Sequence, residues 1–224
     1  MKINIAIDGP SGAGKSSVSD LLAKKLGYVH LDTGAMYRAV AFKAINNNIA
    51  LDDEEKLIEM LNKTSIVLND NNDVFIDGKN VTELIRTNEM SMAASDVSKL
   101  SKIRKKLVEM QQEISKSKGY ILDGRDIGTV VLKDAEVKIY LTASTEIRAQ
   151  RRKLQNEKKG IFNDLDYLIK EIENRDYQDM NRKESPLKKA DDAIEIDASY
   201  IDINQVVNKI LDIVYNKLEV LRND

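Results

Sequence analysis

Gly9-Pro10-Ser11-Gly12-Ala13-Gly14-Lys15-Ser16 is the stretch that decides the fold. It fits the phosphate-binding loop pattern of Gly, four residues, then Gly-Lys-Ser. Ile3-Asn4-Ile5-Ala6-Ile7-Asp8 precedes it, a short apolar run of strand character. Ser17 to Leu26 follows, with Val18, Leu21, Leu22 and Leu26 at helical spacing. Strand, loop and helix in that order are the context the motif requires. Glycines let the backbone curl so that several N–H groups point into one concavity, and the helix behind adds its positive dipole end. Gly9, Pro10, Ser11, Gly12, Ala13, Gly14, Lys15, Ser16 and Ser17 therefore read as a nucleoside triphosphate site. Lys15 reaches the terminal phosphates, and the Ser16 hydroxyl ligates Mg²⁺. The plainer reading, a turn that merely packs well, is outweighed by the flanking context.

Outward from the loop, strands and helices alternate. Tyr28 to Asp32 is expected as a strand ended by Thr33-Gly34, with a helix over Ala35 to Ile45 and another over Glu54 to Leu61. Ser65 to Leu68, a polar turn at Asn69 to Asp73 and Val74 to Ile76 predict an antiparallel hairpin. Asp77-Gly78 then supplies a tight turn into a third strand. A helix near Asn88 completes an inserted unit at 64–96. Leu100, Ile103, Leu107, Met110 and Ile114 form the stripe of a long helix that Gly119 ends. Tyr120 to Asp123 and Val137 to Leu141 read as strands, separated by a turn at Gly124 to Gly128. Ser144 suits an N-cap for a helix carrying Arg148, Arg151 and Arg152. Asn156 to Gly160 reads as a mobile polar break before a helix from about Asp164 to Arg182, which Pro186 stops. Ala193 to Ile196 is a last strand, and an apolar stripe from Ile203 to Leu218 marks the final helix.

This alternation predicts an α/β fold: a three-layer phosphate-loop NTPase core with a central parallel sheet covered on both faces. A ligand should sit outside the carboxyl ends of the strands. Asp8-Gly9, Asp32-Thr33, Asp123-Gly124 and Arg125 all fall at such ends. Asp123 suits a carboxylate aimed at Mg²⁺, directly or through water, or else a cap for the turn that follows.

Composition narrows the function classes. With 42% hydrophobic and 32% charged residues over 224 positions, the chain suits one soluble domain with small insertions. No run of about 18 apolar residues occurs, so no membrane partner is expected. The N-terminal residues lack a signal-peptide core, and with no Cys the expected compartment is the cytoplasm. A net charge of −2 argues against nucleic acid as a partner.

The chain has 10 Arg against 25 Lys, so Lys is its default cation. Arg is favoured where a planar fork meets phosphate or carboxylate. Arg38, Arg86, Arg104, Arg125, Arg175 and Arg182 lie at element ends or polar helix faces and suit a second anion site. Arg148, Arg151 and Arg152 read as a flap near the transferred phosphoryl, where positive charge stabilises the equatorial oxygens and closure excludes water. His30, the lone histidine, sits in a strand pattern and reads as packing rather than catalysis. No Asn-Lys-x-Asp guanine motif is present, since Asn62-Lys63-Thr64-Ser65 lacks the Asp.

At five stretches the chain resembles the bacterial cytidylate kinases. These are Gly9 to Ser16, Leu31 to Arg38, Ile85-Arg86-Thr87, Asp123 to Val131 and Asp179 to Arg182, within a similarity running from about Ile3 to Leu218. The resemblance implies γ-phosphoryl transfer from ATP, with Mg²⁺, to CMP or dCMP. It further implies a core over 1–63 and 97–224, a nucleoside-monophosphate-binding insertion over 64–96 and a short lid over 148–163. In this likeness Arg38, Arg125 and Arg182 hold the CMP phosphate, and Ser95, Arg104 and Asp126 read cytosine. Asp179 and Arg175 meet the ribose, and the Thr33 and Tyr37 hydroxyls border the acceptor. Lys15, Arg125, Asp126, Arg151, Arg152 and Arg182 form the catalytic set. Many relatives end the loop in Gly-Lys-Gly-Thr; here Gly14-Lys15-Ser16-Ser17 leaves two hydroxyls, of which the general pattern selects Ser16. Gln178 replaces a basic residue found in some relatives.

Alternatives stay open at this level. Ser95 could bond only its own helix, and Arg86 could brace the insertion through carboxylates. Adenylate, guanylate and shikimate-type kinases share the expected core, and a non-enzymatic ATP-binding module is a reading from another class. A monomer is the expected state.

Overall fold

The computed structural model describes residues 1–69 and 72–223; the expected turn at Asn69 to Asp73 lies partly outside the described residues. Five strands form one parallel sheet: β1 (Ile5–Asp8), β2 (Val29–Asp32), β6 (Tyr120–Gly124), β7 (Val137–Thr142) and β8 (Ile194–Asp197). Their order is β2-β6-β1-β7-β8. Ile5 lies beside Ile121 and Val137, and Asp32 lies beside Asp123, so the strand ends align along one edge. Near-continuous apolar strands such as Ile5-Ala6-Ile7 form because both faces are covered.

On one face, α1 (Lys15–Leu26) and α8 (Ile203–Asn223) bury Val18, Leu22, Val207 and Ile210 against Ile5, Ile121 and Ile139. On the other, Ala6, Leu31 and Leu122 pack with Ile127 and Val131, backed by Val108 and Ile114 of α5 (Ser101–Ser115). Alternate strand residues thus serve opposite layers. A further cluster gathers around α2 (Thr33–Asn46), whose Met36, Val40 and Ala44 are fully buried. It joins Leu57 and Leu61 of α3 (Glu54–Asn62) to β3 (Ile66–Leu68), β4 (Val74–Ile76) and α4 (Asn88–Val97). β3, β4 and the short β5 (Lys79–Asn80) are antiparallel, as the hairpin pattern requires. Ala149 of α6 (Thr145–Glu157) packs on Leu168 and Ile172 of α7 (Leu165–Asn181), a helical pair beside the loop.

Three local expectations change. Thr33-Gly34 opens α2 rather than ending β2, because Asp32 Oδ1 caps the helix by accepting from Ala35 N at 3.0 Å. The turn after β6 winds into a π-helical turn at Ile127–Val131, since Asp8 Oδ1 and Oδ2 accept from Ile127 N and Gly128 N at 2.8 and 2.7 Å. Asn156 is no loose polar residue: α6 runs through it, and its buried side chain donates to Asn163 Oδ1 at 2.7 Å.

Candidate active site

Gly9 makes the phosphate loop possible. A Cβ there would sit 1.9 Å from the Leu141 carbonyl oxygen, so only glycine fits between β1 and β7. Gly14 takes the left-handed conformation at the N-cap of α1, aiming the first-turn amides outward. Lys15 folds back over the loop, donating to Gly9 O and Pro10 O, both at 2.8 Å. Burial, aided by the Arg125 charge, lowers its ammonium to about 7. Ser16 and Ser17 are exposed at the mouth, and Ser16 Oγ donates to Asp123 Oδ2 at 2.9 Å. Asp123 is thereby committed to the loop rather than to capping its own turn.

Asp123 has a second partner. His30 Nε2 lies 2.7 Å from Asp123 Oδ1, and His30 Nδ1 lies 2.6 Å from Asp20 Oδ1. Asn72 of the hairpin adds a donor to Asp20 at 3.0 Å. Burial disfavours charge on this imidazole, but the two carboxylates outweigh it and raise its pKa to about 10. His30 is packed as expected, yet it serves as an ionic bridge rather than an apolar filler.

Opposite the loop, arginines and acids interlock. Arg38 Nη2 donates to Asp32 Oδ2 at 2.8 Å, and Thr33 Oγ1 donates to Asp123 O at 2.7 Å. Arg104, buried in α5, donates to Asp126 Oδ2 at 2.7 Å, and its guanidinium lies 5.3 Å from the Tyr37 ring centre. Burial pushes the Tyr37 hydroxyl up to about 12. Arg125 Nε donates to Asp179 Oδ2 at 2.8 Å; Arg182 Nη1 lies 3.7 Å from Asp179 Oδ1 and Arg182 Nη2 3.7 Å from Asp126 Oδ1. Burial opposes ionisation of Asp179, but Arg125 and Arg175 hold it below the usual carboxylate range. Ser95 Oγ donates across to Gln178 Oε1 at 3.3 Å, so it is not confined to its own helix. Arg175 Nη1 donates to Ser11 Oγ at 3.2 Å, tying this group to the loop. Arg38 Nε, Arg175 Nε and Arg182 Nη2 are buried without a hydrogen-bond partner among the described residues. Donors of that kind suit an anion with several oxygens.

The expected flap divides. Arg148 turns inward, where Nη1 donates to Asp176 Oδ2 at 2.5 Å and to Ser11 O at 2.9 Å, and Nε donates to Ala143 O at 2.9 Å. Asp176 Oδ1 in turn accepts from Ser11 N at 3.2 Å. Arg148 braces the loop from behind and is corrected from flap to support. Arg151 lies along the loop with Nη1 3.4 Å from Ala13 O, while Arg152 Nη1 donates to Asn88 Oδ1 at 2.8 Å. Arg86 is exposed and pairs with Glu83 at 3.2 Å, the bracing contact.

A family model described as cytidylate kinase matches residues 5–216. The chain belongs to the cytidylate kinase family. It is 53% identical to the cytidylate kinase of Caldicellulosiruptor bescii, covering 100% of this chain and 99% of that one. It is 48% identical to the cytidylate kinase of Bacillus subtilis, covering 96% and 98%, and 51% identical to that of Listeria monocytogenes, covering 97% and 98%. Among solved structures, a gluconokinase from Sinorhizobium meliloti superposes with a TM-score of 0.50 at 14% identity, covering 99% and 96%. An uncharacterised protein from Eubacterium ventriosum does so with 0.52 at 11%, covering 96% and 99%. At such identity these two share the fold alone.

For this member of the cytidylate kinase family, sequence reasoning named Asp8 only as a strand end and missed Asp20 and Asp176. Asp8 stands directly before the loop, and burial raises its carboxyl to about 6 against the Gly128 and Ile127 amides. Asp20 follows Ser16 by four positions, a spacing that places both on one helix face and could have flagged it. Asp176 carried no local signal. No group of three or more His, Cys, Asp or Glu side chains that could hold a metal occurs among the described residues, nor any helix long and apolar enough to cross a membrane.

Proposed function

We propose that this protein transfers the γ-phosphoryl of ATP to CMP, and likewise to dCMP, giving ADP and CDP or dCDP. The observation that carries this reading is the bond between Arg175 and Ser11 at 3.2 Å, which sets the cluster of Arg38, Arg125, Arg152 and Arg175 directly against a phosphate loop. ATP lies along Gly9 to Ser17, its phosphates on the loop amides. Lys15, released from its own carbonyls, turns to the terminal phosphates. Arg38, Arg125 and Arg182 grip the acceptor phosphate. Ser95, Arg104 and Asp126 read the base, Arg175 and Asp179 the ribose, and Thr33 and Tyr37 line the groove. Arg151 and Arg152 bring charge to the equatorial oxygens, leaving catalysis to positioning and electrostatics with no imidazole base. Asp126 is already engaged by Arg104, and the acceptor phosphate is already ionised.

Mg²⁺ fits the donors present. Ser16 Oγ at the loop mouth and the buried Asp123 carboxylate behind it offer hard oxygen donors, Asp123 directly or through water, and a nucleotide would supply the rest of such a shell. That ion would neutralise charge developing on the phosphates. The same reading divides the chain into a core (1–63 and 97–224), an acceptor-binding insertion (64–96) and a lid (148–163) whose first residue, Arg148, ties it to the loop through Ser11 O. It has the protein working as a cytoplasmic monomer, since one chain carries both walls of the cleft. Incubation with ATP and CMP should yield CDP and ADP in equal amounts. ATP hydrolysis without CDP would point to a non-enzymatic nucleotide-binding module instead.

A further inference from the structure

His30 and Asp123 share one face of the sheet. His30 on β2 lies beside Ile121 on β6, and Asp123 follows Ile121 by two positions. That face carries α1, whose Ser16 and Asp20 are four positions apart and so point the same way. A helix stripe, Ser16 and Asp20, therefore opposes a strand stripe, Asp123 and His30. Three contacts join the four side chains: Ser16 to Asp123 at 2.9 Å, Asp123 to His30 at 2.7 Å and His30 to Asp20 at 2.6 Å.

Each Asp123 oxygen has a different partner. Oδ1 faces the imidazole and Oδ2 faces the loop hydroxyl, so the carboxylate cannot turn without losing one of them. Because Ser16 donates its proton to Oδ2, its lone pairs are left pointing outward at the loop mouth. Remove the imidazole, and Oδ1 becomes an orphaned acceptor in a buried position, which a buried carboxylate avoids by rotating or drawing in water.

We propose that His30 is a positioning residue for the metal side of the phosphate loop: anchored by Asp20, it fixes the Asp123 carboxylate in the orientation that aligns Ser16 toward a nucleotide-bound cation. The proposal rests on the reading of Ser16 and Asp123 as the metal side. The polar neighbours of His30 are Asp123, Asp20 and Asn72, whose Nδ2 lies 2.8 Å from His30 Nδ1. Asn72 reaches the same anchor from the hairpin, so the insertion meets the core at this point.

The test measures ATP affinity by calorimetry, once with excess chelator and once with saturating Mg²⁺, for the wild type and for His30→Leu, His30→Gln, Asp20→Asn and Ser16→Ala. Outer partners of metal ligands typically contribute about 10-fold or more in metal affinity. His30→Leu should therefore lose about 10-fold of the tightening that Mg²⁺ confers, while metal-free ATP and CMP affinities stay within about 2-fold. His30→Gln, whose amide can still donate to Asp123, should recover part of the loss. If His30→Leu fails to fold, Asp20→Asn reads the same effect from the exposed end, with a smaller loss of the Mg²⁺ increment. Full Mg²⁺ tightening in a folded His30→Leu or, failing that, in Asp20→Asn overturns the proposal when Ser16→Ala has lost it. Full tightening in Ser16→Ala overturns the metal reading beneath it instead.

Discussion

Asp179 Oδ2 accepts from Arg125 Nε at 2.8 Å, joining α7 to the end of β6. Arg125 Nη1 also donates to Gly124 O at 3.3 Å, but it is the Asp179 carboxylate that reinforces its charge against burial. An Asp179→Ala variant removes both the acid that orients Arg125 and the group assigned to the ribose. The KM for CMP should rise about 10-fold or more, the range for a lost hydrogen bond to a charged group. The KM for ATP should change less than about 2-fold. Initial-rate kinetics with each substrate varied checks this, and a shift confined to ATP would remove Asp179 from the acceptor side.

Lys15→Met should lower kcat/KM by at least about 100-fold, the scale of losing one preorganised electrostatic contact to a reacting phosphoryl. Methionine keeps the buried stem volume, so the thermal midpoint should hold. Near wild-type turnover in a folded variant would contradict the loop assignment.

Arg148→Ala should act on stability rather than on the chemical step alone. It strands Asp176 as an uncompensated buried charge, which costs about 3–5 kcal/mol. For a chain of this size that is roughly 10 °C in Tm. Differential scanning calorimetry measures it. An unchanged Tm with abolished turnover would return Arg148 to the flap.

Asp8 makes stability depend on pH in a stated direction. Burial raises its folded pKa to about 6 from the ordinary 3.8, only partly offset by the two amides it accepts from. Between those values the folded state holds the proton more firmly than the unfolded chain. The stability that Asp8 contributes is therefore lost as pH climbs from about 4 to about 6. Asp8→Asn lacks this titration, so the wild-type advantage over it should shrink across that window by up to about 3 kcal/mol. Urea unfolding at several pH values reads the gap directly, and a gap that widens toward pH 6 would contradict the assignment.

The legible parts of this molecule were the local ones. The loop, the hairpin at Ile66–Leu68 and Val74–Ile76 and the apolar stripe of α8 each declare themselves within a dozen residues or so. The carboxyl-end acids, Asp32 and Asp123, followed once the strands were placed. Where burial depends on partners distant in the chain, the sequence was silent. Arg148, Arg151 and Arg152 look alike on one helix, and only Asp176, 28 positions beyond Arg148, turns the first of them inward. His30 was rightly placed inside, but its bridging role needs Asp20 from α1 and Asp123 from β6 on the same sheet face. The turn after β6 was misread because the Asp8 carboxylate that shapes it lies 119 positions away from Ile127.

Whether the arginine cluster beside the phosphate loop selects a cytidine monophosphate is decided by one acceptor panel. Turnover with ATP is measured against CMP, dCMP, UMP, AMP, GMP and shikimate at equal concentration. CMP and dCMP should be phosphorylated fastest, with AMP, GMP and shikimate at background. Turnover of AMP, GMP or shikimate well above that of CMP would contradict the account.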